Sequence, residues 1–146
     1  MAINASKVMV GGLAAGLVAN LIGYVGFGML LGPRMEAEMV AVAPVLAGRG
    51  MSGSAIATQV VFSFIIGFLL VWLYAAMRPR FGPGPKTAVY AALVVWLCGF
   101  LFHIDWLLIG LMTTTTYALA SFAALIQLIA AAWVGGMIYK EDAATG

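Results

Sequence analysis

His103 and Asp105 form the ionisable pair that falls within a long apolar stretch of this sequence. An ionisable residue in such a stretch is a functional candidate by default, because burying its charge in hydrocarbon is costly. A single histidine can serve as the axial ligand of one haem or one chlorophyll. The alternative is that His103 is a structural residue whose ring is satisfied by a neighbour. Four aromatic residues lie nearby in the sequence: Trp96, Phe100, Phe102 and Trp106.

Other site chemistries need more residues than the chain supplies. Zinc takes three or four protein ligands, and one histidine with one aspartate falls short. A haem with two histidine ligands needs a second histidine, but the sequence has one. A serine triad built from Ser63 or Ser121 has no supporting spacing, and Cys98 is the single cysteine. We therefore expect a non-enzymatic protein without a metal-ion site.

The composition of the chain predicts the medium in which these residues lie. Among 146 residues, 8% are charged, 64% are hydrophobic, and the mean hydropathy is +1.10. Soluble domains carry about 25% charged and 45–50% apolar residues, and disordered chains are less apolar still. The sequence therefore predicts an integral membrane protein in contact with lipid. Its clustered bases, Arg78, Arg80 and Lys86, are too few for a nucleic-acid surface.

Four apolar segments are long enough to cross a hydrocarbon core of about 30 Å, which takes about 20 residues of helix. Backbone groups in lipid must be bonded within the segment, so we predict helices. Their predicted bounds are about 8–31, 55–77, 87–111 and 116–139. Together they form an all-α, antiparallel four-helix transmembrane bundle, with the chain 1–146 as a single domain.

Basic residues near the ends of the spans predict the orientation, because loops rich in Lys and Arg stay in the cytoplasm. Arg34 and Arg49 fall on one side, where Glu36 and Glu38 offset them. We expect both termini and the Pro- and Gly-rich turn at 78–86 to face the cytoplasm. Five bases fall on that side: Lys7, Arg78, Arg80, Lys86 and Lys140.

The loop between the first two spans, about 33–53, is the long loop of the chain. Met35, Met39, Val42 and Leu46 recur in it at a spacing of three or four residues, with charged residues around them. This pattern predicts a short amphipathic helix on the outer surface of the membrane. Pro44 would bend or interrupt the helix. An ordinary ordered loop is the alternative that the sequence leaves open.

Depth along the spans groups four polar side chains near the outer end. His103 and Asp105 lie about 26 and 29 Å from Lys86 at 1.5 Å per residue, near the outer edge of the hydrocarbon. Tyr24 and Gln59 reach similar heights on the first two spans. We therefore predict a candidate outer-leaflet site made of these four residues. The alternative is that Asp105 only marks the membrane interface.

The first and fourth spans are rich in small residues at helical spacing. The first repeats them every four positions through Gly12 and Gly16, and the fourth carries a similar stripe through Ala132 and Gly136. Such stripes let membrane helices approach closely. The sequence leaves open whether they join spans within one chain or meet a second subunit.

Two amides lie at matching depths on these same spans. Asn20 is 13 residues from Lys7, and Gln127 is 13 residues from Lys140. Both therefore lie about 20 Å from the basic edge of the bundle. We predict that Asn20 and Gln127 hydrogen-bond each other, or share a water, across the interface of the first and fourth spans. Contacts of this kind contribute roughly 0.6–2 kcal/mol in membranes.

The stretch 72–88, WLYAAMRPRFGPGPKTA, resembles one found in a family of small, uncharacterised bacterial membrane proteins with four spans. The opening at 10–20, VGGLAAGLVAN, is similar to theirs. The resemblance implies a four-span fold in a bacterial inner membrane. It implies no activity, because the family offers no catalytic residues that match positions of this chain.

We expect a small multi-pass inner-membrane protein that acts by packing. It would be an accessory subunit of a larger membrane complex, with other membrane proteins as partners, or a homo-oligomer. One alternative is an oligomeric transporter of a small molecule or ion that uses the outer-leaflet site. The other is a pigment- or haem-binding accessory subunit with His103 as the axial ligand.

Overall fold

Long apolar helices dominate the computed structural model, which describes residues 3–50 and 52–139. Within these ranges the chain forms helices and turns but no strand. The predicted all-α fold with four helices able to cross a membrane is therefore confirmed. Lys140, which counted toward the predicted basic side, lies outside the described residues. The four candidate spans are Ala5–Leu30, Gly53–Phe81, Pro85–Leu108 and Thr114–Ile138.

Six α-helices follow one another in the described part of the chain, and three of these begin at a side-chain cap. Asn4 accepts a hydrogen bond from the Lys7 nitrogen, Ser52 from Ala55, and Thr113 from Thr116. Such caps satisfy backbone donors that a first helical turn leaves open. The helices are α1 (Ala5–Gly23), α2 (Gly32–Val42), α3 (Gly53–Phe81), α4 (Pro85–Phe102), α5 (Ile104–Leu108) and α6 (Thr114–Ile138).

The first span changes its winding after α1. Residues Tyr24–Leu30 continue it as a π-helix, and the Leu31 nitrogen donates to the Gly26 oxygen, five residues back. A short irregular connection then leads into α2. This helix ends at Val42 and is followed by the 3-10 turn Pro44–Leu46. The predicted helix in this loop, with an interruption at Pro44, is confirmed.

The second span runs past its predicted end at Met77, because α3 continues through Pro79 to Phe81. A proline in the last turn removes one backbone bond, but the next bond survives, from the Gly82 nitrogen to the Arg78 oxygen. Gly82 then ends the helix at φ 82°, a conformation that glycine adopts without strain.

The third span is not the continuous helix predicted over 87–111, since α4 ends at Phe102 and His103 forms a break before the short α5. The Asp105 side chain accepts a hydrogen bond from the Trp106 nitrogen at 3.0 Å, which competes with regular helix bonding. Gly110, at φ 79°, then turns the chain toward α6. The predicted third span is thus found over Pro85–Leu108, with an irregular residue at His103 and an end three residues short of position 111.

The small-residue stripes pack against helices of the same chain. α1 contacts α3 and α6, and α4 contacts α6 and α3. Gly16 lies against Phe64 and Gly67 of α3, while Gly11 lies against Gly135 of α6. At these positions the small residues are therefore covered by helices of the same chain.

Candidate functional site

The four residues predicted to form the outer-leaflet site have separate surroundings. Asp105 bonds its neighbour Trp106, Tyr24 is 67% exposed, and the Gln59 side chain is exposed. Among the residues that the structure describes, no hydrogen bond or ring contact joins any two of the four. The outer-leaflet site of Tyr24, Gln59, His103 and Asp105 therefore stays a prediction, and His103 has the most defined geometry of the four.

The His103 ring is held by its own helix. Its Nδ1 atom lies 2.8 Å from the Gly99 oxygen, and its ring packs edge-on against Trp106 with 5.2 Å between the centroids. A carbonyl at this distance is satisfied when Nδ1 carries the proton. In that tautomer Nε2 is an acceptor on an exposed side chain, which is the arrangement of a histidine that binds a metal.

Both amides make hydrogen bonds, but each has a backbone carbonyl as its partner rather than the other amide. Gln127 Nε2 donates to the Ala19 oxygen at 2.7 Å, which joins α6 to α1. Asn20 Nδ2 donates to the Gly16 oxygen at 2.9 Å and to the Val60 oxygen of α3 at 3.4 Å. In place of the predicted Asn20–Gln127 bond, the two amides make three hydrogen bonds to backbone carbonyls.

A polar cluster that the sequence did not reveal ties α2 to the start of α6; we call Arg34, Glu38, Thr113 and Thr116 the Glu38 cluster. The Glu38 carboxylate accepts hydrogen bonds from the Thr113 nitrogen and hydroxyl, both at 2.9 Å, and from the Thr116 hydroxyl at 2.5 Å. Arg34 Nε lies 3.4 Å from the same carboxylate and 2.6 Å from the Thr116 oxygen.

These donors set the protonation of Glu38. The Thr116 hydroxyl and the Thr113 backbone, with smaller effects from the Thr113 hydroxyl and Arg34, lower the pKa of Glu38 from 4.5 to about 2. The carboxylate therefore stays charged at neutral pH and holds the end of α6 against the loop helix. Two features of the sequence point to these residues: the four-residue spacing of Arg34 and Glu38, and the run of threonines at 113–116. Neither feature predicts that α2 and the start of α6 are in contact.

At the other end of the bundle, two tyrosine hydroxyls accept hydrogen bonds from backbone nitrogens of distant residues. The Tyr74 oxygen accepts a hydrogen bond from the Gly84 nitrogen at 3.0 Å, and the Tyr139 oxygen accepts one from the Asn4 nitrogen at 3.2 Å. Their rings pack edge-to-face, 6.2 Å apart. We call this end the basic end, because four bases lie within six residues of Asn4, Tyr74 or Gly84 in the sequence: Lys7, Arg78, Arg80 and Lys86.

A cavity of about 290 Å³ opens at the basic end, and we call it the basic-end cavity. Sequence reasoning missed it because topology and rigidity already explained the bases and prolines of the 78–86 turn. Its walls come from α3, the turn after it, α4 and α6. The lining residues are Tyr74, Arg78, Pro83, Gly84, Pro85, Ala88, Trp133, Gly136, Met137 and Tyr139.

The bundle thus presents an exposed histidine and the Glu38 cluster toward one end, and a cavity with a guanidinium group at the other. The Glu38 cluster joins α2 to the start of α6 by hydrogen bonds. The cavity and the histidine have groups that can bind a ligand. Comparison of the chain with protein-family models, with curated proteins and with solved structures gave no match.

Proposed function

We propose that this chain is a non-enzymatic, multi-pass membrane protein that acts by packing, as an accessory subunit of a larger membrane complex or as a homo-oligomer. The observation that carries the proposal is the use of polar groups within the spans. Gln127, Asn20, Ser63, Trp96 and Tyr117 all donate to backbone carbonyls of the chain's own helices. Polar side chains used in this way hold a bundle together rather than process a substrate.

A partner surface is favoured by the corner between α4 and α5. Three large apolar side chains are exposed there: Phe102 is 80% exposed, Leu108 77% and Ile109 64%. The 18 residues of α4 span about 27 Å at 1.5 Å per residue, so the corner lies near the edge of the hydrocarbon. Apolar groups at this level, where lipid tails give way to headgroups, favour contact with another protein.

The bundle is proposed to be antiparallel, with both termini and the basic end in the cytoplasm of a bacterial cell and α2 on the outer surface. The excess of Lys and Arg beside the 78–86 turn supports this orientation. The mixed surface of α2 supports its position, since Met35 and Met39 are half-buried while Arg34 and Ala37 are exposed.

Site-specific photocrosslinking in intact cells tests the packing role. A photoreactive phenylalanine analogue at Leu108 should give a protein adduct of defined mass. A homo-oligomer gives an adduct with the mass of two chains, and a different subunit gives an adduct whose mass differs from that of two chains. The matched control is the same analogue at Ile65, which is 53% exposed in the middle of α3 and should give lipid adducts. Lipid adducts alone at both positions, with a monomeric purified protein, would contradict the proposal.

A second function, the binding of one pigment or haem, is favoured by the geometry of His103. Its Nδ1 contact with Gly99 leaves Nε2 as the second ring nitrogen of an exposed side chain at the break after α4. A visible absorbance band in the protein purified from its native membrane, lost in His103→Ala and kept in Cys98→Ala, is the expected result. A colourless protein would overturn this second function and leave the first intact.

A further inference from the structure

The basic-end cavity combines a charged group, a buried hydroxyl and an apolar rim. Arg78, Tyr74 and Gly84 are among its lining residues and supply its polar groups. Trp133 and Met137 of α6 line its other side and are 52% and 61% exposed. The cavity therefore reaches from a polar wall to the surface that faces lipid.

The Tyr74 side chain carries a buried donor into this cavity. It is 3% exposed, and its oxygen accepts the hydrogen bond from the Gly84 nitrogen. A tyrosine hydroxyl can donate as well as accept. Within residues 3–50 and 52–139, no acceptor is found for its own hydrogen, so the hydroxyl can donate to a bound group.

Charge favours an anion at this position. Arg78, Arg80 and Lys86 fall within nine residues of sequence, and Lys7 and Lys140 bring the bases near this end of the spans to five, against the two acids Glu141 and Asp142 that follow Lys140. Glu36 and Glu38 belong to the loop at the opposite end of the bundle. A guanidinium group pairs with two phosphate oxygens at once. Clusters of bases beside a span attract anionic lipids by roughly 1 kcal/mol for each base.

The apolar rim distinguishes a lipid from a soluble anion. Tryptophan side chains collect at the level of lipid headgroups, and Trp133 and Met137 give the cavity an opening toward acyl chains. We propose that the basic-end cavity binds the headgroup of an anionic phospholipid from the adjoining leaflet. The Arg78 guanidinium pairs with the phosphate, Tyr74 donates a hydrogen bond to it, and the glycerol end lies at the Met137 side. This site is independent of the packing function proposed above.

Native mass spectrometry of the full chain in mild detergent tests the site, with an equal mixture of phosphatidylglycerol and phosphatidylcholine of identical acyl chains. The wild-type protein should retain phosphatidylglycerol over phosphatidylcholine by about tenfold, the effect of one charged hydrogen-bonded pair. Arg78→Gln should reduce this preference to near unity. The matched control is Arg80→Gln, which removes the same charge from the same turn but lies outside the cavity lining and should keep the preference.

Three results would overturn the proposal. One is equal retention of both lipids by the wild-type protein, and another is an equal loss in Arg78→Gln and Arg80→Gln, which indicates diffuse attraction. The third is displacement of the lipid by millimolar inorganic phosphate, which assigns the site to a soluble anion. If Arg78→Gln does not fold, Arg78→Lys replaces it: the charge remains but the paired geometry is lost, so the preference should fall. An unchanged preference in Arg78→Lys would contradict the role of the guanidinium.

Discussion

Gly67 of α3 and Gly16 of α1 touch through their backbones. A methyl group on Gly67 would overlap the Gly16 nitrogen and lie 2.6 Å from the Gly12 oxygen. Lipid tails are as apolar as leucine, so hydrophobicity does not drive spans together within the membrane, and close packing must do so. This contact is therefore a main source of the stability of the bundle.

Gly67→Ala should destabilise the protein by about 1–3 kcal/mol or more, because backbone atoms cannot move aside as side chains can. Gly99→Ala is the matched control, since Gly99 is also inside a spanning helix but has nothing within 4 Å of an added methyl group. It should be neutral or stabilise by up to about 1 kcal/mol through helix propensity. Reversible unfolding in detergent measures both, and equal losses would contradict the packing described here.

Replacement of the two amides by leucine should give additive losses. Gln127→Leu removes the bond to Ala19, and Asn20→Leu removes bonds to Gly16 and Val60, so the two changes break different contacts. Each should cost about 0.6–2 kcal/mol. The double variant should equal their sum within about 0.5 kcal/mol. A larger coupling energy would show that Asn20 and Gln127 interact directly, as the depth argument alone predicts.

The helices themselves follow from the sequence, because length and hydropathy decide which segments can satisfy their backbone in lipid. Errors arose where a local contact overrides that average. Asp105 bonds the Trp106 nitrogen and helps to break the third span, while α3 passes through Pro79 because only its last turn is affected. A hydropathy average predicts neither the break at His103 nor the continuation of α3 through Pro79.

The candidate sites were harder to predict, because they depend on which distant segments meet. Counting residues from Lys7 and Lys140 places Asn20 and Gln127 at the same depth, and this is sufficient to predict that each makes a polar contact. It could not say that each amide would bond a backbone carbonyl instead of the other amide. The contacts of Glu38 with Thr113 and Thr116 join residues more than 70 positions apart. No local pattern contains such a pairing.

The Glu38 cluster should make stability depend on pH in the acid range. The folded pKa of Glu38 is lowered from 4.5 to about 2, so the charged form is favoured by folding. This contribution is fully present above about pH 4.5 and is lost as the pH falls toward 2. The unfolding temperature of the wild-type protein should fall across that window.

Glu38→Gln should be less stable at neutral pH and should lose much of the fall between pH 4.5 and 2, because glutamine does not titrate. The matched control is Glu36→Gln on the same helix, where the carboxylate accepts a bond from the Gly48 nitrogen instead. That variant should retain the wild-type shape. An acid profile of Glu38→Gln that overlays the wild-type profile would contradict the assignment.

We propose that the chain crosses a membrane four times with its basic end in the cytoplasm. The most direct measurement is labelling of intact cells with a membrane-impermeant maleimide, in a Cys98→Ala background carrying either Ala47→Cys in the long loop or Pro83→Cys in the 78–86 turn. Both positions are exposed. The account predicts that position 47 reacts from outside and that position 83 reacts only after the membrane is opened. Labelling of position 83 in intact cells, with position 47 protected, would contradict it.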